Sequence, residues 1–268
     1  MLRSSEWHLA CDGIRRSFDY SRARRSQETL KGKLMLKDIT AGLPSAVAAV
    51  DAAYWGPGAA YGVGVTVVFN LQGELLGCTY AYGPVCVPYV PGLLAFREMQ
   101  LMAPALAAAL KAFSVGLIMV DGHGVAHPRG FGIASHIGLS FGKPSIGVAK
   151  RRLFGSVARC TYGECLYDDK GAVIGAVLRS PTGSPIYVSQ GYGVSLDSAV
   201  KVVEMQWVEG LRLPYALQAA DAASKDLRDI LKARRTDRLA VGTCHDVSGL
   251  GRLKQVLLRI KAQRDHMA

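Results

Sequence analysis

The chain has 268 residues and a formal net charge of +11, with 50% hydrophobic and 20% charged residues. This length and composition suit a globular protein with a sizeable core and exclude a chain that is disordered throughout. No run of about eighteen apolar residues lacks both charge and glycine, so the sequence predicts no membrane span. Glu6, His8 and Asp12 stand where a secretory signal would be apolar, so we expect a cytoplasmic protein.

Nearly all of the excess positive charge lies at the two ends of the chain. Residues 1–50 contribute +4 and residues 225–268 contribute +6, whereas residues 51–224 hold 12 basic and 11 acidic side chains. A nearly neutral body with basic ends is expected of a protein that meets a polyanion, and nucleic acid is the first candidate. The alternative is that the basic ends only keep the protein soluble.

The six cysteines have neither the density nor the spacing of a disulfide framework. We therefore expect free thiols at Cys11, Cys78, Cys86, Cys160, Cys165 and Cys244. The four residues between Cys160 and Cys165, and His245 directly after Cys244, leave a zinc site as an alternative. Disulfides are a further option for a protein from a hyperthermophile.

The first predicted element is a polar, helix-compatible segment over residues 22–37, which ends before Gly42 and Pro44. Three strands follow at residues 46–54, 61–70 and 74–82, and their short glycine-containing links favour an antiparallel meander. The next elements are a long apolar helix, a strand, a short helix and a strand, at residues 93–113, 116–120, 131–141 and 145–149. The last are two strands at 172–179 and 185–189 and two helices at 196–210 and 215–233.

The alternation of helix and strand after the meander implies right-handed crossovers between parallel strands. Three antiparallel strands followed by parallel strands predict an α/β fold, a ribonuclease H-like mixed sheet flanked by helices. Other mixed-sheet topologies share this element order, so the pattern alone leaves them open.

Three carboxylates are embedded in apolar sequence. Asp51 lies inside the first strand, Asp121 ends the strand GLIMV, and Glu98 lies in the apolar helix between them. A buried carboxylate is expected to be paired, protonated or bound to metal, because an unpaired buried charge is strongly unfavourable. If the two strands are neighbours, Asp51 and Asp121 converge, and oxygen ligands of this kind suit Mg²⁺ or Mn²⁺. Salt bridges to lysine or arginine are the alternative.

The run VDGHGVAHPRGFGIASH around Asp121 is rich in groups that bind ligands. Gly122 lets the backbone approach a ligand, His127 supplies an imidazole, and Arg129 can form bidentate hydrogen bonds with a phosphate. Lys150 follows the strand SIGVA, at a strand end where α/β sheets commonly bind ligands. The pattern indicates a substrate loop in which Lys150 stabilises charge on a phosphate or neutralises the carboxylates.

Tyr89 lies in the segment VPYVPGLLAFRE, bracketed by Pro88 and Pro91. Each proline restricts the backbone before it, so the aromatic ring is held on a stiff loop. A rigidly presented tyrosine can stack on bases or wedge between them. A buried core tyrosine is the alternative.

The runs PYVPGLLAFRE, DGHGVAHPRGFGIASH and PSIGVAKRRL occur in that order and closely resemble endonuclease V, the deoxyinosine 3′-endonuclease family. The similarity extends from about residue 45 to residue 225. It implies a ribonuclease H-like DNA repair nuclease with magnesium as cofactor, or manganese in its place. It also implies a nick at the second phosphodiester bond 3′ to deoxyinosine, with 3′-hydroxyl and 5′-phosphate ends.

The resemblance assigns roles to particular positions. The metal-binding carboxylates of the family fall on Asp51, Glu98 and Asp121, and its strand-separating wedge falls on Tyr89. The histidine and the lysine that the family places near the scissile phosphate fall on His127 and Lys150. The base pocket, made largely of backbone, falls on Gly92, Leu94, Gly122, Gly132, Ile133 and Ala149.

The resemblance weakens after Lys150. Gly191 and Tyr192 stand where the family typically has Gly-His, so any role of that histidine is absent or replaced. Asp221 falls where the last shared helix of the family carries a residue near the metal. Asp197 is a competing candidate, but after Ser195 it is expected to interact with a helix N-terminus instead.

The resemblance leaves the substrate and the ends of the chain open. We expect a monomer that binds DNA containing deoxyinosine. The alternatives are an enzyme that cleaves inosine-containing RNA and a protein that binds nucleic acid without cleaving it. We divide the chain into a basic helical segment (1–44), an endonuclease V-like catalytic domain (45–230) and a basic C-terminal extension (231–268). In that extension, cations at near-helical spacing alternate with an apolar face of Leu253, Val256, Leu257 and Ile260. We expect this helix to bind DNA phosphates, or else only to cover apolar surface.

Overall fold

A computed structural model describes residues 4–234, 238–246 and 248–267. The strands are β1 (Ala46–Trp55), β2 (Tyr61–Asn70), β3 (Leu75–Pro84), β4 (Leu117–Asp121), β5 (Ser145–Ala149), β6 (Ser156–Cys160), β7 (Gly163–Tyr167), β8 (Val173–Arg179), β9 (Pro185–Tyr192) and β10 (Ala240–Thr243). The helices are α1 (Ser4–Ser17), α2 (Tyr20–Lys31), α3 (Leu94–Ala112), α4 (Ile133–Phe141), α5 (Leu196–Glu204), α6 (Tyr215–Leu231) and α7 (Gly251–Met267).

All the strands form one mixed sheet in the order β10-β3-β2-β1-β4-β5-β9-β8-β7-β6. The meander β1–β2–β3 is antiparallel, and β1, β4 and β5 run parallel to one another. Val50 of β1 pairs with Val120 of β4, so the residues that follow them, Asp51 and Asp121, lie at the same level of the sheet. The α/β fold predicted from the sequence, with its ribonuclease H-like mixed sheet, is confirmed.

Helices cover both faces of the sheet because its central strands are apolar on both sides. Val50 and Ile118 pack with Met102 of α3 on one face. Val47 and Met119 pack with residues of α6 on the other. Successive side chains of a strand point to opposite faces. Asp51 therefore faces α6 rather than α3.

Several elements differ from the sequence prediction. The helix predicted over residues 22–37 ends at Lys31, and the helix predicted over 196–210 ends at Glu204. Strands β6, β7 and β10 were not predicted. Most of β6 is exposed and β10 has only four residues, so neither carries the apolar alternation that marks a strand.

The expectation of free thiols is wrong, as is the zinc alternative. The cysteines form three disulfides, Cys11–Cys86, Cys78–Cys244 and Cys160–Cys165. The first joins α1 to the loop after β3, and the second joins β3 to the C-terminal extension. Two of the pairs are 75 and 166 residues apart in sequence, so local spacing carried no signal for them.

The C-terminal extension packs against the catalytic core through α7. Leu253, Val256 and Ile260 are buried in the core that α6 also lines. Arg252 forms ion pairs with Asp226 and Asp229 of α6. Arg235, one of the basic residues of the extension, lies outside the described residues. None of the helices in the described part of the chain is long and apolar enough to cross a membrane.

Candidate active site

Three carboxylates from different elements meet beside the central strands. Asp51 comes from β1, Asp121 ends β4, and Asp221 is presented by α6, which covers the face to which Asp51 points. One carboxylate oxygen of each lies within 4.8 Å of the others. The predicted convergence of Asp51 and Asp121 is therefore present, and Asp221 joins them. We call these three residues the carboxylate cluster.

Two lysines and a serine contact the carboxylate cluster. Lys150 Nζ lies 2.5 Å from Asp121 Oδ2 and 2.7 Å from Asp221 Oδ1. Lys225 Nζ lies 2.6 Å from the other oxygen of Asp221. Ser224 Oγ donates to Asp51 Oδ2 at 2.6 Å. Ser224 and Lys225 were not singled out from the sequence, although their position just after Asp221 on α6 is a signal that could have found them.

The electrostatics of the carboxylate cluster are uneven. Burial, and next the charge of Asp121, raise the pKa of Asp51 to about 7. Burial alone would raise the pKa of Asp221, but hydrogen bonds from Lys150 and Lys225 lower it below its usual value. Burial alone would lower the pKa of Lys150, but Asp121 and Asp221 raise it, so this lysine stays charged. Asp51 is thus the member whose negative charge is least compensated within the protein.

Glu98 lies close to the carboxylate cluster but outside it. Its side chain is buried on α3, and burial, followed by the charges of Asp51 and Asp121, raises its pKa well above the usual value. Its Oε2 is buried without a hydrogen-bond partner among the described residues. A buried carboxylate oxygen without a partner is rare in proteins and calls for a ligand or a proton.

A cavity of about 120 Å³ lies beside the carboxylate cluster, because its lining includes Gly122, which directly follows Asp121. Five of the six predicted pocket residues line it together with Tyr89: Gly92, Leu94, Gly122, Gly132 and Ile133. Ala149, the sixth, is buried and is not part of the lining. A Cβ on Gly132 would lie 2.2 Å from the His123 carbonyl oxygen, so only glycine fits there. Gly92, Gly122 and Gly132 therefore leave part of the cavity wall to the main chain, while residues such as Leu94 and Ile133 make the rest apolar.

Tyr89 projects from the rim of this cavity. Its side chain is 66% exposed, which excludes the alternative of a core tyrosine. Residues 85–92, which we call the Tyr89 loop, begin with the buried residues Val85, Cys86 and Val87 and end at Gly92. Gly92 has φ +77°, a left-handed conformation that favours glycine. The first residues of the loop are thus buried, and the ring of Tyr89 is exposed.

His127 and Arg129 contact the Tyr89 loop rather than the carboxylate cluster. His127 Nε2 donates to the Gly92 carbonyl at 3.0 Å, and its Nδ1 accepts from the Arg129 amide at 3.2 Å. These two bonds define a neutral imidazole with its proton on Nε2. Arg129 Nη2 donates to the same carbonyl, and its Nε donates to Gln27. The phosphate contacts expected of His127 and Arg129 stay predictions.

We expect the neutral state of His127 to make the fold sensitive to acid. Burial, and next the charge of Arg129, lower the pKa of His127 to about 4 from its usual 6.5. The unfolded chain therefore binds this proton first, so its stabilising contribution is complete above pH 6.5 and is lost as the pH falls toward 4. The unfolding free energy should fall there by up to about 1.4 kcal/mol per pH unit for this group. Urea titrations between pH 4 and 7 should show a shallower fall for His127→Gln than for the wild type; identical pH profiles would contradict this assignment.

His123, another histidine of the predicted substrate loop, also lines the cavity. Its Nε2 donates to the Arg151 carbonyl at 2.9 Å, so Nδ1 is an acceptor. That atom is buried and has no hydrogen-bond partner within residues that the structure describes. Asp197 lies apart from the carboxylate cluster, in the first turn of α5 after the N-cap Ser195, where an acidic side chain interacts favourably with the helix dipole.

Comparisons with known proteins agree with this geometry. Residues 28–222 match the endonuclease V family. An endonuclease V from Aeropyrum pernix is 39% identical over 219 residues, which cover 81% of this chain and 84% of that protein. The solved endonuclease V from Streptomyces avermitilis has a TM-score of 0.68 at 34% identity, covering 80% of this chain and 94% of that one. The fold is also that of Ciona intestinalis endonuclease V, solved with a 24mer DNA containing an inosine followed by a ribo-adenosine, with a TM-score of 0.69 at 24% identity over 78% of this chain and 98% of that one. The chain therefore belongs to the endonuclease V family and is a metal-dependent endonuclease.

Proposed function

We propose that this protein nicks DNA at the second phosphodiester bond 3′ to deoxyinosine, using Mg²⁺ as cofactor. The observation that carries the proposal is the carboxylate cluster of Asp51, Asp121 and Asp221 beside a base-sized cavity whose wall includes three glycines. This pairing of a phosphodiester site with a base site is what a lesion-specific nuclease needs. Membership of the endonuclease V family supports the same reaction.

The carboxylate cluster fits a divalent cation. Asp51 is only partly compensated by Ser224 and Lys150, and Glu98 Oε2 has no hydrogen-bond partner among the described residues. An all-oxygen ligand set of this kind suits Mg²⁺, with Mn²⁺ able to take its place. We infer that Asp51, Asp121 and Asp221 would hold the metal, with Glu98 beside them. When bound there, Mg²⁺ supplies activation of a water molecule and stabilisation of negative charge on the phosphate.

The residues of the chain itself account for the rest of the chemistry. In the hydrolysis, a water oxygen bonds to phosphorus, the bond from phosphorus to the 3′ oxygen breaks, and that oxygen leaves as a hydroxyl. Lys150 is charged and lies beside Asp121, so its ammonium group can donate to a phosphate oxygen on which negative charge develops. His127 holds the Tyr89 loop through Gly92 and, being neutral, adds no charge to the site.

The cavity suits hypoxanthine. This base presents a carbonyl oxygen and a ring N–H at its edge, which backbone amides and carbonyls can match without side chains. Gly92, Gly122 and Gly132 bring the main chain to the cavity surface. A base in the cavity must leave its stack, and the exposed ring of Tyr89 can fill the space that the base vacates.

The experiment that tests the proposal compares matched oligonucleotides. Duplexes with one deoxyinosine, one riboinosine or neither are incubated with the protein and Mg²⁺, with an EDTA reaction as control. We expect cleavage of the deoxyinosine duplex in Mg²⁺ and none of the unmodified duplex. Equal cleavage of the two, or cleavage of neither, would overturn the proposed function, and preferential cleavage beside riboinosine would transfer it to RNA.

We expect the exposed cations of α7 to contribute to DNA binding. Lys254 and Lys261 are exposed, while Arg252 is paired with acidic residues of α6. Replacing Lys254 and Lys261 with Ala should flatten the dependence of log Kd on log salt by about 0.9 for each phosphate that the variant no longer neutralises. Lys111→Ala, on α3 at the other face of the sheet, is the matched control and should leave the slope unchanged.

The measurement is fluorescence anisotropy of a labelled duplex at several salt concentrations. An unchanged slope in the double variant would show that α7 only covers apolar surface. These point variants are preferable to truncation after Leu231. Truncation also removes the buried side chains of Leu253, Val256 and Ile260, so it should lower the Tm as well.

A further inference from the structure

The Tyr89 loop is attached at both of its ends to the two N-terminal helices. Cys86 lies three residues before Tyr89, and Gly92 lies three residues after it. Helix α1 contacts the first end and helix α2 contacts the second, so the exposed ring lies between two anchors. Most of both helices precedes Glu28, where the match to the endonuclease V family begins.

The first anchor joins α1 to the start of the Tyr89 loop. The disulfide Cys11–Cys86 is covalent, and both of its cysteines are buried. One turn along α1, Arg15 Nη2 donates to the Val85 carbonyl at 2.8 Å and its Nε donates to the same oxygen at 3.3 Å. Two neighbouring residues of the loop are thus fixed by one helix.

The second anchor joins α2 to the end of the Tyr89 loop. Gln27 is 1% exposed, and its Nε2 donates to the carbonyls of Gly92 and Phe131, both at 3.1 Å. Its Oε1 accepts from Arg129 Nε at 2.6 Å. The Gly92 carbonyl therefore receives donors from Gln27, His127 and Arg129. One of these three belongs to the N-terminal segment.

This attachment matters only when the Tyr89 ring has to displace stacked and paired bases. Pro88 and Pro91 stiffen the interior of the loop, but they do not fix its ends on the body of the protein. A duplex opposes the ring in this way, so a loop whose ends were not held would itself be displaced. In a single strand there is no partner strand to displace. Loss of an anchor should therefore impair duplex cleavage selectively.

We propose that α1 and α2 position the Tyr89 loop for duplex substrates, with Arg15, Gln27 and the disulfide Cys11–Cys86 as the positioning contacts. This inference rests on the proposed function, in which Tyr89 separates strands. It makes the ratio of duplex cleavage to single-strand cleavage dependent on the redox state of one disulfide. The N-terminal segment then determines how well duplexes are cleaved relative to single strands, in addition to carrying positive charge.

The test uses one deoxyinosine strand, alone and in a duplex, and measures the ratio of the two kcat/KM values. Arg15→Ala should lower the ratio of duplex to single-strand cleavage about three- to ten-fold, the range expected when the hydrogen bonding of one side chain to one carbonyl is removed. Arg16→Ala removes the same charge from the same helix at an exposed position and should leave the ratio unchanged. The Tm of each variant is measured in parallel.

Gln27→Ala provides an independent test at the other end of the loop. Gln27 also borders the base cavity, and damage to that cavity would lower cleavage of both substrates equally, without changing the ratio. We expect Gln27→Ala to lower the ratio as Arg15→Ala does. In a protein that already carries Tyr89→Ala, adding Gln27→Ala should leave the ratio unchanged. Thr29→Ala, at an exposed position of α2, is the control.

The disulfide is tested with Cys11→Ser and with reductant. Cys11→Ser should lower the ratio, and dithiothreitol should lower it in the wild type without further effect on Cys11→Ser. Cys160→Ser breaks a disulfide in the hairpin β6–β7 and should not change the ratio. Ratios unchanged in Arg15→Ala, Gln27→Ala and Cys11→Ser would overturn the positioning role. Failure of the wild type to cleave either substrate would instead overturn the proposed function.

Discussion

Replacing Asp121 with Asn should reduce nicking by several orders of magnitude while binding of deoxyinosine DNA survives. Asn keeps the size of the side chain but removes a negative charge from the carboxylate cluster. The cluster then attracts a divalent cation less strongly, and Lys150 loses the partner 2.5 Å from its ammonium group. The cavity and the Tyr89 loop, to which we assign binding of the lesion, are left in place.

Single-turnover cleavage in Mg²⁺ and anisotropy binding in EDTA measure the two effects separately. Asp169→Asn is the matched control, because it makes the same substitution at an exposed residue in the turn before β8. Its cleavage should equal that of the wild type. Near-normal cleavage by Asp121→Asn would contradict the assignment of the metal site to this cluster.

Replacing Tyr89 with Ala should weaken cleavage of duplex deoxyinosine DNA by about 1–3 kcal/mol in transition-state stabilisation, the range for base–aromatic stacking. The ring is 66% exposed and contributes little to the core, so the variant should fold. The loss should be smaller on single strands, where no partner has to be displaced. Tyr89→Phe keeps the ring and should retain most of the activity.

The kcat/KM values on both substrates are the measurement for Tyr89. Equal losses on single and double strands would mean that the ring does not separate strands. A fall in Tm with no selective loss on duplexes would mean that it supports the loop instead. Either result would remove Tyr89 from the role that the family resemblance gives it.

The acidic part of the site could be predicted because charge in an apolar strand is conspicuous. Asp51 interrupts a run of alanine and valine, and Asp121 ends the apolar run LIMV, so the strand patterns predicted their convergence once the two strands were taken as neighbours. Asp221 needed the family resemblance, because an aspartate on an amphipathic helix carries no signal of its own. The structure then added Ser224 and Lys225 through their contacts.

The N-terminal anchors could not be predicted in the same way. Gln27 is a neutral polar residue in a charged helix, a position where a glutamine is usually solvated. Its burial depends on Gly92, which is 65 residues distant in sequence. The pairing of Cys11 with Cys86 spans 75 residues and depends on where α1 packs, which no local pattern encodes.

The most direct test of the account is the position of the cut. A duplex with one deoxyinosine and both strands end-labelled is incubated with the protein and Mg²⁺, and the products are sized and their ends identified by mass spectrometry. We expect a single nick at the second phosphodiester bond 3′ to the lesion, with 3′-hydroxyl and 5′-phosphate ends, and none in EDTA. A cut elsewhere, release of free hypoxanthine, or cleavage that persists in EDTA would contradict the account.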